Sequence, residues 1–89
     1  MQQWHRFRED INSAPEAEGF YYLADLARQT LYIGQAPNIR AAVMQSPQRI
    51  AGQAVVYFSW EIDSNTTEKE LKGLIKEQHP PGNKPFSFW

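Results

Sequence analysis

At 89 residues the chain has room for one domain with a modest core, burying roughly two-thirds of its unfolded surface. A hydrophobic fraction of 42% and an aromatic fraction of 13% exclude an intrinsically disordered chain, and the absence of cysteine excludes disulfides and thiolate metal sites. The net charge of −1 gives no global pull toward nucleic acid, and no apolar run is long enough for a bilayer span or a signal peptide, so a soluble cytoplasmic domain is expected.

Trp4, Phe7 and Ile11 recur at helical spacing with charged residues between them, which predicts a short amphipathic helix from about Trp4 to Asn12. Trp and Phe at such spacing are core anchors first. A loop from Ala14 to Glu18 follows. Gly19 to Ala24 and Thr30 to Gly34 are aromatic and branched, and the polar connector between them makes a β-hairpin. Asn38 is placed to cap a helix whose apolar stripe is Ile39, Ala42, Val43 and Met44. Ser46-Pro47 looks like a second helix start, giving one turn through Ile50 that ends at Gly52.

Ala54 to Ile62 is the longest β-branched and aromatic stretch, which suits a central strand. Asp63 to Asn65 turns the chain. Thr67 and Glu70 then form a capping box, and Leu71, Leu74 and Ile75 supply the buried stripe of a helix reaching Gln78. Pro80-Pro81-Gly82 stops that helix. Phe86, Phe88 and Trp89 alternate as an edge strand would. The expected class is α+β: a small three-stranded, mostly antiparallel sheet flanked by helices. One domain spans 1–89, with an N-terminal helix and loop (1–18), a motif core (19–83) and an aromatic tail (84–89).

Within that core, Gly19-Phe20-Tyr21 and Tyr32-Ile33-Gly34 resemble the paired triplets of the GIY-YIG nuclease superfamily. Gln35-Ala36-Pro37-Asn38-Ile39-Arg40 is similar to the family's Lys-Ala-x-Asn-Leu-Arg. Leu74-Ile75-Lys76 with Pro80-Pro81-Gly82-Asn83 resembles the late block of the nuclease domain in bacterial excision-repair subunits. The resemblance implies metal-assisted phosphodiester hydrolysis with Mg²⁺ or Mn²⁺ as cofactor and DNA as partner. It puts Tyr21 and Tyr32 beside the scissile phosphate, an arginine on the first helix as charge stabiliser, a glutamate on the last helix as metal ligand, and Asn83 in support.

Two of those parts are displaced here. Counted from Gly34, the family's arginine position falls on Ala42, with Arg40 roughly 200° away around a helix. The position four residues further on is Ser46. The metal-ligand position falls on Leu71, one residue past Glu70, and Glu70 is also explained as part of the capping box. The candidate site is therefore Tyr21, Tyr32, Arg40 and Asn83, with Glu70 for the metal. Gly34 is expected to ease the turn from strand into helix. His5 and His79 have no partner at ligand spacing and are expected at the surface. Lys69, Lys72 and Lys76 form a basic stripe interrupted by Glu68, Glu70 and Glu77, a pattern commoner on solvated faces than on phosphate tracks. Two functions compete. One is a binding module, for nucleic acid or a protein partner, that kept the scaffold and lost hydrolysis, favoured by Ala42, Leu71 and the mild acidity. The other is an active divalent-metal-dependent endonuclease.

Overall fold

The computed structural model describes residues 3–63 and 67–83. In chain order the strands and α-helices are β1 (His5–Arg6), β2 (Gly19–Ala24), β3 (Thr30–Ala36), α1 (Ile39–Met44), β4 (Arg49–Ile50), β5 (Gln53–Ala54), β6 (Tyr57–Ile62) and α2 (Glu68–Gln78). Single 3-10 turns occupy Ile11–Ser13 and Pro81–Asn83. The main sheet is antiparallel, in the order β1-β6-β2-β3. The α+β expectation holds, with one more strand than the three expected.

Strand β2 explains the layering. Its alternate residues Phe20 and Tyr22 face one side of the sheet, where they pack with Ile33 of β3 and Ile75 of α2. Leu23 faces the other side and packs with Leu31, Phe58, and Ile39 and Val43 of α1. Being covered on both faces, β2 is apolar along its whole length, as such strands are. Each helix therefore owns one face of the sheet.

The helix caps form as the residues dictate. The Asn38 side chain accepts the Ala41 N–H at 3.0 Å, and the Thr67 hydroxyl accepts the Glu70 N–H at 3.1 Å. His79 closes α2 at φ 49° before Pro80.

Three expectations are corrected. The N-terminal stretch is no helix: His5 and Arg6 pair with Phe58 and Tyr57 of β6, the Phe7 N–H donates to the Val56 carbonyl at 2.8 Å, and Arg8 turns the chain at φ 72°. The apparent helical stripe is shared between two cores, since Phe7 joins the α1 side and Trp4 packs on the α2 side. His5 is accordingly a strand residue, its ring stacked on Trp60 at 4.6 Å. Next, Arg49–Ile50 is extended and pairs with Gln53–Ala54. Ala51 (φ 51°) and Gly52 (φ 81°) make the two-residue turn that such a hairpin needs. That hairpin takes Ala54 away from the central strand, which begins at Tyr57. The Ser46 hydroxyl, finally, starts no helix: it donates to the Ala42 carbonyl at 2.8 Å and closes the end of α1. The turn beyond Asp63 and the expected aromatic edge strand at Phe86, Phe88 and Trp89 lie outside the described residues.

Candidate functional site: a cleft with two phenols

In the β2–β3 ladder Tyr21 stands opposite Gly34 and Leu23 opposite Tyr32, so both tyrosines rise from the α1 face of the sheet. Their ring centroids are 6.0 Å apart and the planes are inclined by 42°. Gly34 sits within β3 rather than at its end, and a Cβ there would fall 2.5 Å from the Tyr21 hydroxyl. Gly52 is the only glycine with positive φ among the described residues, so Gly34 is needed for room and not for its backbone angles. The glycine of the second triplet exists to let the tyrosine of the first lie across its strand.

The two rings open into a cleft of about 450 Å³, walled by Ala42, Gln45 and Ser46 at the end of α1 and by Ile50 and Gly82. The Tyr21 phenol is pushed up to about 12, first by burial and then by the neighbouring Tyr32, while Ser46 pulls the other way. At neutral pH Tyr21 is a hydrogen-bond donor and not a base.

Asn83 supports this cleft from behind. Its side-chain oxygen accepts the Ile33 N–H at 2.8 Å, and its amide donates to the Ile33 carbonyl at 2.9 Å. Because β3 is an edge strand, those two groups point outward, and Asn83 both satisfies and blunts the edge. Through this pair of bonds Asn83 positions β3.

The remaining expected residues are not brought together. Arg40 turns away from the cleft: its guanidinium donates to the carbonyls of Ala14 at 2.8 Å and Asn12 at 3.1 Å and meets Glu16 at 3.1 Å. It braces the N-terminal loop against α1, as its angular offset from Ala42 requires. Glu70 lies beyond the opposite face of the sheet, in a groove with Phe20 and Leu74, and its carboxylate meets the Thr67 hydroxyl at 3.3 Å. Leu71, at the family's metal-ligand position, packs against the core on that same face. The lysine stripe rides on α2, away from the cleft, with Lys72 paired to Glu68 at 3.3 Å.

Family offsets thus found Ala42 and Ser46 in the cleft wall, whereas Gln45, Ile50 and Gly82 went unpredicted. The Ala51-Gly52 dipeptide was the available signal for the hairpin that brings Ile50 in. Every Asp and Glu side chain of the chain lies among the described residues, and none lines the cleft. Its polar donors are two phenols, a hydroxyl and an amide. That neutral set does not fit a divalent cation, which takes carboxylate oxygens. Nor do three His, Asp or Glu side chains converge to hold a metal elsewhere among the described residues.

The antiparallel sheet between helices and the tyrosine pair meeting over a strand glycine are what the two triplets imply, and the chain is a GIY-YIG-like domain. The particular likeness is to UvrABC system protein C. The chain is 30% identical over 77 residues to that protein from Chlorobium luteolum, 32% over 75 residues to that from Methanococcoides burtonii, and 34% over 83 residues to that from Trichlorobacter lovleyi. These matches cover 81%, 79% and 83% of this chain but only 12%, 12% and 14% of the relatives' length. Among solved structures it resembles the GIY-YIG N-terminal endonuclease domain of UvrC from Thermotoga maritima, a point mutant bound to its catalytic divalent cation. The TM-score is 0.62 at 24% identity, over 86% of this chain and 93% of that one. No family model matches the chain.

Proposed function

We propose that this domain holds a ligand in its tyrosine cleft without hydrolysing it, serving as a binding module for nucleic acid or protein. The observation that carries this reading is the cleft wall itself, where Ala42 and Ser46 stand and neither a carboxylate nor, among the described residues, an arginine or lysine is present. Phosphodiester hydrolysis builds negative charge on the phosphoryl oxygens, and a preorganised donor at such a charge contributes about 2.7–4 kcal/mol of transition-state stabilisation. Arg40 is committed to the N-terminal loop and Glu70 to the far face, so neither supplies it. The Tyr21 and Tyr32 hydroxyls and the Gln45 amide can still donate hydrogen bonds to a strand's phosphate or carbonyl oxygens without turning over, while Ser46, whose proton goes to the Ala42 carbonyl, is left as an acceptor.

The second reading, an active divalent-metal-dependent endonuclease, is favoured by the catalytic cation that the UvrC domain binds. The two are separated by incubating the protein with supercoiled plasmid and branched duplexes in Mg²⁺ or Mn²⁺, and by calorimetric titration with Mn²⁺. The binding module shows little nicking and no Mn²⁺ heat that Glu70→Ala removes. Robust nicking abolished by Tyr21→Phe and Glu70→Ala would overturn it.

A further inference from the structure

The lining of the tyrosine cleft is uncharged, but a cation stands against its wall. No Asp or Glu side chain lines the cleft, nor does an arginine or lysine among the described residues. Just outside, the Arg8 guanidinium donates to the carbonyl of Ser46, a wall residue, at 3.4 Å. We propose that the cleft takes an unpaired base of single-stranded nucleic acid and leaves the strand's phosphates outside, where Arg8 meets them. This inference rests on the non-hydrolytic reading above and adds which part of the strand enters.

The lining suits a flat, neutral ring that carries donors and acceptors on one edge. The Tyr21 phenol, pushed up to about 12, keeps its proton at neutral pH and donates. The Ser46 hydroxyl gives its proton to the Ala42 carbonyl at 2.8 Å and is left as an acceptor. Gln45 is exposed, its amide has no hydrogen-bond partner among the described residues, and it offers a donor and an acceptor together. A carboxylate or ammonium group would find no counter-charge in this lining, whereas the edge of a base presents donors and acceptors without charge. The phenol rings supply a stacking surface. Their centroids are 6.0 Å apart, too close for a third ring to slide between them at about 3.5 Å from each, so a base lies against them. Leu23, Pro47 and Ile50 are its apolar flanks, and about 450 Å³ is within the size range of small-ligand clefts.

Arg8 favours a base over a neutral side chain of a protein, because only the base arrives with an anion on either side of it. Arg8 is exposed and in no ion pair among the described residues. The neighbouring carboxylates of Glu9 and Asp10 are instead held by Arg6, at 3.1 and 3.8 Å. The Arg8 guanidinium lies over the Phe7 ring at 5.1 Å and makes only the long bond to Ser46, which leaves most of its five donors available to phosphate oxygens. Glu61, Glu70 and Glu77 line a groove on the opposite face of the sheet, so they do not oppose a strand at the cleft at close range.

The test is a nitrogen–proton NMR titration of the 89-residue chain with two short abasic deoxyribose-phosphate strands, one carrying a single central adenine and the other no base. The single-base strand should shift the amides of Tyr32, Gln45, Ser46 and Gly82, and the base-free strand should bind roughly tenfold more weakly or less. Tyr32→Leu and Gln45→Ala should each weaken the single-base strand by about tenfold, Gln45→Ala without moving the thermal midpoint. Arg8→Gln should lower the slope of log affinity against log salt by about 0.7, and Lys69→Gln, on the far face, should change nothing. Equal binding of the two strands, no shift at the cleft from either, or an unchanged salt slope in Arg8→Gln would overturn this inference. So would shifts of the same amides by a blocked glycine peptide with a central asparagine in place of the strand. None of those outcomes touches the non-hydrolytic reading, which plasmid nicking in Mg²⁺ or Mn²⁺ would refute by itself.

Discussion

Gly34→Ala tests the packing on which the tyrosine cleft depends. The added methyl would fall 2.5 Å from both the Tyr21 hydroxyl and its Cε1, inside the distance any real Cβ tolerates. Strand β3 cannot simply retreat, because Asn83 holds the adjacent Ile33 at 2.8 and 2.9 Å. The Tyr21 ring must swing away instead. Overpacking of this kind costs about 1–3 kcal/mol. Replacing a strand glycine by alanine meanwhile stabilises by roughly 0.5–1 kcal/mol through the unfolded chain. The net loss should be about 0.5–2 kcal/mol. In a Tyr21→Ala background the obstacle is gone, and the same Gly34→Ala change should become stabilising by roughly 0.5–1 kcal/mol. The coupling between the two positions is then about 1–3 kcal/mol, read from urea unfolding of the four proteins by tryptophan fluorescence. An equal cost of Gly34→Ala in both backgrounds would refute the claim that Gly34 exists to accommodate the ring.

Asn83→Ala should cost about 2–4 kcal/mol, because it strands the Ile33 N–H and carbonyl at an edge the fold had covered. Chemical denaturation measures the loss, and the Ile33 amide should lose its protection from hydrogen exchange. Gly73→Ala, in mid-helix with open space around its Cβ, should stabilise by roughly 0.5–1 kcal/mol in a thermal melt; destabilisation would mean the helix wall is not open. Alkali should unfold the protein in a tyrosine-dependent way. The Tyr21 phenol is raised from 10 to about 12 and Tyr22 is raised too, so the folded state holds protons that the unfolded state has released. Stability is therefore full below pH 10 and falls as pH climbs toward 12. Tyr21 accounts for on the order of 1–2 kcal/mol after allowance for solvent screening. Absorbance at the phenolate band should show two of the four tyrosines ionising only with unfolding, and Tyr21→Phe should make the stability loss shallower.

What could be read from residues alone was whatever acts within a few positions along the chain. Asn38 and Thr67 cap their helices because an acceptor three residues ahead of a free N–H needs no help from elsewhere. The hairpin and its paired tyrosines follow from alternation, whereas it was the resemblance, through the family's offsets from Gly34, that singled out Ala42 and Ser46, which the structure puts in the cleft wall. His5 and Arg6 show where that stops. The helical spacing of Trp4, Phe7 and Ile11 around them was real, but β6 offered backbone partners and Trp60 offered a ring to stack on, and neither is visible from the N-terminal residues. Glu70 and Arg40 lie outside the tyrosine cleft for a related reason. Helix α2 packs on the far side of the sheet from the tyrosines, and α1 turns Arg40 toward the N-terminal loop. Local chemistry determined the elements and their ends. Which face each helix covers, and hence which side chains share a cleft, depended on burying two cores at once, a condition that only the assembled sheet can impose.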